Sequence, residues 1–348
     1  MSLDYPKGIS TDFDNSTQDD WTPNLLSPQL AAVYTLIACL AVLGNGMVIT
    51  VMLLRRRVFS SFTNRLILHQ SVIDCVAGVV FFLWRVVLQV IEKPMSFESN
   101  IYAQLMCRFI NFDLFVWCMN VTSTYNLVII SLERFMATCH PVKHRNTCSS
   151  VKLKYAIGTA WAIGCIYSSH FAFLFEINEG YCQLTELETG LRVFQFSAEF
   201  TIEYLVPITI LVCTYGRIIF TLTKKSANPM IGARNTTNKA KKNVLVTTIL
   251  IGLMFVLCWT PIELLFLYSQ LTGDWNTSLY DPFTSLVACN MLVNPVIYCF
   301  KYEKFRSELR KLVLKRCRRN RVEDGNTISM SAASSRMNAN RMHVGESS

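Results

Sequence analysis

Apolar residues along this chain gather into seven runs, at 30–54, 66–91, 109–132, 155–175, 194–220, 244–271 and 282–300, parted by polar segments. At about 1.5 Å of rise per residue, each run is long enough as a helix to cross a hydrocarbon core of about 30 Å. The runs lack the strict alternation of barrel strands. In lipid only helices or closed barrels satisfy their own backbone hydrogen bonds. The pattern therefore predicts an all-α integral membrane protein built as a seven-transmembrane helix bundle.

Past the last run the pattern changes. Phe305, Leu309, Leu312 and Val313 share one face of a helix, with Lys304, Arg306, Arg310 and Lys311 around it. That is the signature of a short amphipathic helix lying on the inner membrane surface. The organisation that follows is a polar, acidic tail at 1–27, the bundle at 28–300, the surface helix at 301–317, and a tail at 318–348 whose Ser-, Asn- and Gly-rich composition suits a disordered segment.

Composition agrees with a membrane protein: 51% hydrophobic, 16% charged, mean hydropathy +0.31. The net charge of +9 would by itself admit a nucleic-acid partner. Its distribution argues against one, because 27 of the 33 lysines and arginines fall on alternate connections and the C-terminal tail, among them Arg55–Arg57, Lys143, Arg145, Lys152 and Lys154. The opposite connections carry Glu92, Glu98, Glu176, Glu179, Glu186, Glu188, Asp274 and Asp281. The positive-inside rule then predicts a multi-pass plasma-membrane protein, N-terminus extracellular and C-terminus cytoplasmic, with the basic excess contacting anionic lipid. The sequons at Asn15 and Asn276 fall on the outer side and are glycosylation candidates; those at Asn120 and Asn235 do not. No basic leader with a short apolar core precedes the first run, which is expected to serve as its own insertion signal.

Polar groups inside the runs carry the chemistry. Asp74 lies in the middle of the second run, with Asn45, Ser123, Asn290 and Asn294 at similar depth. A carboxylate there needs a counter-charge, a proton or donors, so the group suits a hydrated cation site; the alternative is a hydrogen-bonded knot that only packs helices. The outer half holds Arg85, Asp113, Glu199, Glu203 and Glu263. Glu199 and Glu203, four apart, share a helical face, and with Glu263 they would attract a cation. The alternative has Arg85 paired with one acid and the others protonated or hydrated.

Pro207, Pro261 and Pro295 each remove a backbone hydrogen bond within a run. Beside Phe255 and Trp259 such a bend can form a two-state element, or be a static kink. Glu133-Arg134, followed by His140-Pro141, is on its own no more than a snorkelling pair. Of thirteen cysteines, Cys107 and Cys182 face the oxidising side, where a disulfide is favoured over two free thiols. Cys317, among Lys315, Arg316, Arg318 and Arg319, suits palmitoylation or an unmodified thiol equally.

Taken in order, one per helix, Asn45 in Gly-Asn-Gly, Asp74, Glu133-Arg134-Phe135, Trp161, Pro207 with Tyr215, Cys258-Trp259-Thr260-Pro261 and Asn294-Pro295-Val296-Ile297-Tyr298 resemble the motifs of the rhodopsin-like (class A) G-protein-coupled receptors, over about residues 28–317. The resemblance implies that Arg134, with Glu133 and Pro141, meets a heterotrimeric G protein. It implies that Asp74, Ser123, Asn290 and Asn294 form a pocket for an allosteric sodium ion, with no other cofactor or metal. Trp259 would floor a ligand pocket drawing on Arg85, Val116, Glu199, Glu203 and Glu263. Asn45, Pro207, Tyr215, Phe255, Trp259, Pro261, Asn294, Pro295 and Tyr298 would be switch positions, and Cys107–Cys182 the outer disulfide. Arrestin and a receptor kinase become further expected partners.

The chain also departs from the family pattern. Phe135 stands where Tyr is usual, and Lys241 where many members carry an acid that locks Arg134. Thr124 replaces an aliphatic residue, Cys107 lies about two residues further from Arg134 than usual, and no proline follows Trp161. Val116 occupies the position where amine receptors of this family have an aspartate, and the seventh run has no lysine for a retinal Schiff base. The expectation is a peptide ligand, basic in character, with an amine or other small molecule as the alternative. A transporter or channel is the rival of a different class, although runs one, four and seven carry no charge. An intramembrane enzyme is disfavoured, since no His-Glu-x-x-His or paired intramembrane aspartates occur.

Overall fold

A computed structural model describes residues 27–88, 101–111, 114–147, 149–178, 181–185, 187–226, 235–272 and 277–314. Asn15, Asp113, Asn276 and Cys317, and the side chains of Cys182 and Lys241, lie outside the described part.

Seven helices long and apolar enough to span a membrane are present. They are α1 (Pro28–Leu54), α2 (Phe62–Leu88), α3 (Leu114–Cys139), α4 (Ser150–Ser169), α5 (Thr189–Lys224), α6 (Asn235–Thr272) and α7 (Thr277–Lys301). Serines start three of them. The Ser27, Ser61 and Ser149 hydroxyls accept from the amides of Leu30, Asn64 and Lys152, each at 3.3 Å, satisfying donors that the first helical turn cannot. Several helices outrun their apolar stretches: α6 starts at Asn235, before the run at 244, and α3 continues to Cys139, past 132. Hydropathy marks only the part of a helix that sits in hydrocarbon.

Three turns are wound wider, as π-helix: Leu83–Leu88 in α2, Cys107–Asn111 upstream of α3, and Thr201–Leu205 in α5. The last ends two residues before Pro207, whose missing N–H denies the preceding turn its usual donor. A short hairpin, β1 (Phe175–Asn178) with β2 (Tyr181–Leu184), adds an antiparallel β element that the hydrophobic pattern did not foretell, with Ile177 opposite Cys182.

The helices close into a ring in which α1 packs on α2 and α7, α3 on α2, α4 and α5, and α6 on α7. Trp259, Tyr34, Tyr298, Phe255 and Phe305 are the largest fully buried side chains, while Leu36, Leu43, Phe173 and Phe220 point outward. Leucines face out and Asn45, Asp74 and Asn126 face in, an arrangement suited to lipid and not to water. The amphipathic helix expected over 301–317 is α8, at 303–314. It is fastened by Phe305, fully buried, by the Tyr302 hydroxyl donating to Asn64 at 2.8 Å, and by Glu308 at 3.2 Å from Arg55.

Small residues set the closest approaches. A Cβ on Gly44 would lie 2.9 Å from Pro295, and one on Gly164 would meet the Thr122 hydroxyl and stand 2.8 Å from the Cys118 carbonyl oxygen. Gly158 on the same helix as Gly164 has open space. Gly164→Ala should therefore destabilise the purified protein by about 1–3 kcal/mol, the usual range for overpacking. Gly158→Ala should leave the thermal midpoint where it is. Equal midpoints for the two variants would contradict this packing.

Candidate functional site

Between α2, α3, α6 and α7, in the half assigned to the outside, lies a small cavity of about 30 Å³. Phe81, Val116, Ile262, Phe266, Val287 and Met291 make it largely apolar, and Arg85, carried on the π-wound end of α2, is the charged residue of its lining. Trp117, which no motif marks, also lines it; Trp259 packs behind Trp117 with ring centroids 6.2 Å apart and is 1% exposed.

The expected pocket is thereby divided. Arg85 and Val116 line the cavity. Trp259 stands one layer back, and Glu199, Glu203 and Glu263 are not in the lining. Glu199 and Glu203 are drawn elsewhere by donors on α4 and the turn after it. The Tyr167 hydroxyl donates to Glu203 at 2.7 Å, and His170 Nε2 lies 2.7 Å from Glu199, which also accepts from Gln195 at 2.8 Å. Glu263 is buried on α6. A carboxylate in an apolar bundle goes where donors are, and here they are at the α4–α5 seam.

Deeper in the bundle, Asp74 is fully buried. Its Oδ1 accepts from Ser123 at 2.8 Å and Gln70 at 3.0 Å, and its Oδ2 from Asn294 at 2.6 Å. Three helices thus meet at one carboxylate. Of the four residues expected there, Asp74, Ser123 and Asn294 come together, whereas Asn290 is half-buried and outside the set of hydrogen bonds given to Asp74. Gln70 was missed, although its spacing of four from Asp74 puts both on one helical face. Asn45 joins α1 to α7 by donating to the Met291 carbonyl at 2.8 Å.

At the other end, Arg134 donates to Glu133 at 2.6 Å and to the Thr63 hydroxyl. Glu133 also accepts from Thr63 at 2.9 Å and meets His144 at 2.7 Å. Pro141 opens the short helix Pro141–Thr147 that carries His144 to this position. Thr63 and His144 lie far from Glu133 in sequence, and neither belonged to a motif that could have marked them.

Among the switch positions, the Tyr215 hydroxyl donates to the Thr248 carbonyl at 2.9 Å, linking α5 to α6. Phe255 packs tilted against Trp259 with ring centroids 5.8 Å apart, and the Tyr298 hydroxyl is buried without a hydrogen bond among the described residues. Pro261 and Pro295 sit inside α6 and α7. Cys107 is buried and disulfide-bonded, packed on Leu174 and Phe175 at the start of the hairpin.

The sequence matches the family model described as 7 transmembrane receptor (rhodopsin family) over residues 44–298. Relatives include galanin receptor 2b of Danio rerio, 24% identical over 88% of this chain and 81% of its own length. The allatostatin-A receptor of Bombyx mori is 23% identical over 87% and 84%. Trace amine-associated receptor 2 of Mus musculus is 28% identical over 82% and 85%.

The acid cluster makes a direct prediction. Tyr167→Phe takes from buried Glu203 the donor on Oε2, while Oε1 already has none among the described residues. The variant should lose on the order of 1–3 kcal/mol of stability, as orphaned buried polar groups do. Tyr155→Phe, at a site 73% exposed, should melt like the parent. A Tyr167→Phe protein as stable as the parent would contradict the assignment.

Proposed function

Because this chain belongs to the rhodopsin family of seven-transmembrane receptors, we propose that it binds a peptide at its outer face and activates a heterotrimeric G protein at its inner one. It is a receptor, not an enzyme. The observation that carries the reading is the family match across 44–298 together with a chain that places an apolar cavity at one end and Arg134 at the other. A ligand that fits one packing of the helices better than another shifts the balance between them, and the inner face reports the shift.

Relatives named as receptors for galanin and allatostatin-A support a peptide. A relative is also named for trace amines. Against an amine stand Val116, at the position where the amine receptors carry an aspartate, and the guanidinium of Arg85 in the cavity lining, which repels a cation. The lining favours an apolar or aromatic side chain of the peptide, with a carbonyl or carboxylate toward Arg85. A basic residue of the ligand would have to reach Glu203 and Glu263 outside that lining. The charge pattern supports an extracellular N-terminus and a cytoplasmic C-terminus, with lipid headgroups against α8. A Cys107–Cys182 bridge would tie the hairpin to the start of α3. Arrestin and a receptor kinase complete the proposed partners.

The test is a panel of peptides and amines applied to cells expressing the full chain, with second messengers as readout. A peptide should evoke a response that Arg134→Ala abolishes at equal surface expression. Arg85→Ala should shift the effective peptide concentration at least tenfold, or about 1.4 kcal/mol. Glu263→Lys should remove the response to a basic peptide and spare that to a neutral one. Ion or substrate flux without any second-messenger change would defeat the reading, as would a response to amines alone.

A further inference from the structure

The three donors on Asp74 belong to a longer chain of hydrogen bonds. Gln70 Nε2 gives its hydrogens to Asp74 and, at 2.5 Å, to the Ser123 oxygen. Gln70 Oε1 accepts from Asn126 Nδ2 at 2.7 Å, and Asn126 also donates to the Leu66 carbonyl at 3.2 Å. Asn126 Oδ1 meets His69 Nδ1 at 2.9 Å, and His69 Nε2 meets Trp161 Nε1 at 3.0 Å. The relay runs from α4 through α2 and α3 to the carboxylate.

Its direction is fixed by one atom. An indole N–H can only donate, so His69 Nε2 must be an acceptor and Nδ1 must carry the imidazole proton. That proton requires the oxygen of Asn126 on its side, which turns the Asn126 amide nitrogen to Gln70 Oε1. Gln70 must then present its amide nitrogen to Asp74 and Ser123. Neither amide can be flipped without setting two donors or two acceptors against each other.

A sodium ion, as a hard cation, needs several oxygen lone pairs converging on it. The Gln70 amide turns hydrogens to two of the oxygens that would supply them, Asp74 Oδ1 and Ser123 Oγ, and Asn294 turns an N–H to Oδ2. Asn294 Oδ1 lacks a hydrogen-bond partner among the described residues, and Asn290 stands outside the bonds to Asp74. We infer that in this chain the Gln70 amide, oriented by Trp161, His69 and Asn126, takes the place at Asp74 that the family resemblance gives to sodium, and that the site does not bind the ion. The expectation of an allosteric sodium ion at Asp74, Ser123, Asn290 and Asn294 is thereby replaced by a protein-made relay.

The experiment is the melting of the purified full-length protein in sodium chloride and in choline chloride at equal ionic strength. An ion at concentration c that binds the folded state stabilises it by RT ln(1 + c/Kd) and so raises the midpoint as c rises. The parent should melt at the same temperature in both salts. Gln70→Leu, which frees Asp74 Oδ1 and Ser123 Oγ, should melt higher in sodium than in choline, and the difference should vanish in Gln70→Leu/Asp74→Asn. A parent stabilised by sodium, with the effect lost in Asp74→Asn, overturns the inference. So does a folded Gln70→Leu that is indifferent to sodium. Should Gln70→Leu fail to fold, sodium-23 relaxation of the parent against its Asp74→Asn variant decides: equal relaxation supports the inference, and faster relaxation in the parent overturns it. None of these readouts passes through signalling, so they stand or fall apart from the peptide-receptor reading.

Discussion

A polar group inside a lipid-embedded bundle must find its partner within the protein, and in this chain that requirement decides which helices are bound to which. The outer surface of leucine and phenylalanine is equally content against lipid or another helix and specifies little. The interior bonds are what discriminate. Asp74 holds α2, α3 and α7 together, Asn45 holds α1 to α7, and Tyr167 with Glu203 holds α4 to α5. Glu133 gathers α2, α3 and the short helix behind Pro141.

These anchors leave α6 comparatively free. The hydrogen bonds that reach it from α5 are Tyr215 to Thr248 and Tyr204 with Thr260 at 2.7 Å, and it carries Pro261 in mid-course. Its aromatic pair, Phe255 and Trp259, leads up through Trp117 to the cavity. A group entering between α3 and α7 would press on those rings, and α6, with few polar ties among the described residues, is the helix able to answer. A movement of its inner end would change the surroundings of Arg134, which the described contacts tie to α2 and to its own helix and not to α6.

The seven spans were legible because the requirement to cross hydrocarbon writes itself into twenty-odd consecutive residues. The ends of α3 and α6 were not, because polar residues can continue a helix beyond the membrane without leaving a hydropathy signal. The Asp74 centre was legible in part: depth in a run puts Asp74, Ser123 and Asn294 at one level. Whether Gln70 turns in to join them depends on Asn126 and His69 on neighbouring faces. Glu199 and Glu203 were read onto a common face opposite Glu263, but Tyr167 and His170, on and beyond α4, chose which way those two turned. Trp117, Thr63 and His144 belong to no spacing rule and became visible only with the helices in place.

The central claim is that occupancy at the outer end is relayed as a movement of α6 against the anchored helices. It is tested most directly by pulsed electron resonance between nitroxides at Val151→Cys on α4 and Val246→Cys on α6, in a background with the exposed Cys39, Cys165 and Cys213 replaced. With nucleotide-free G protein added, the distance distribution should lengthen and then return when guanine nucleotide releases the complex. A distribution that stays the same with and without the G protein, in a sample shown to bind it, would contradict the account.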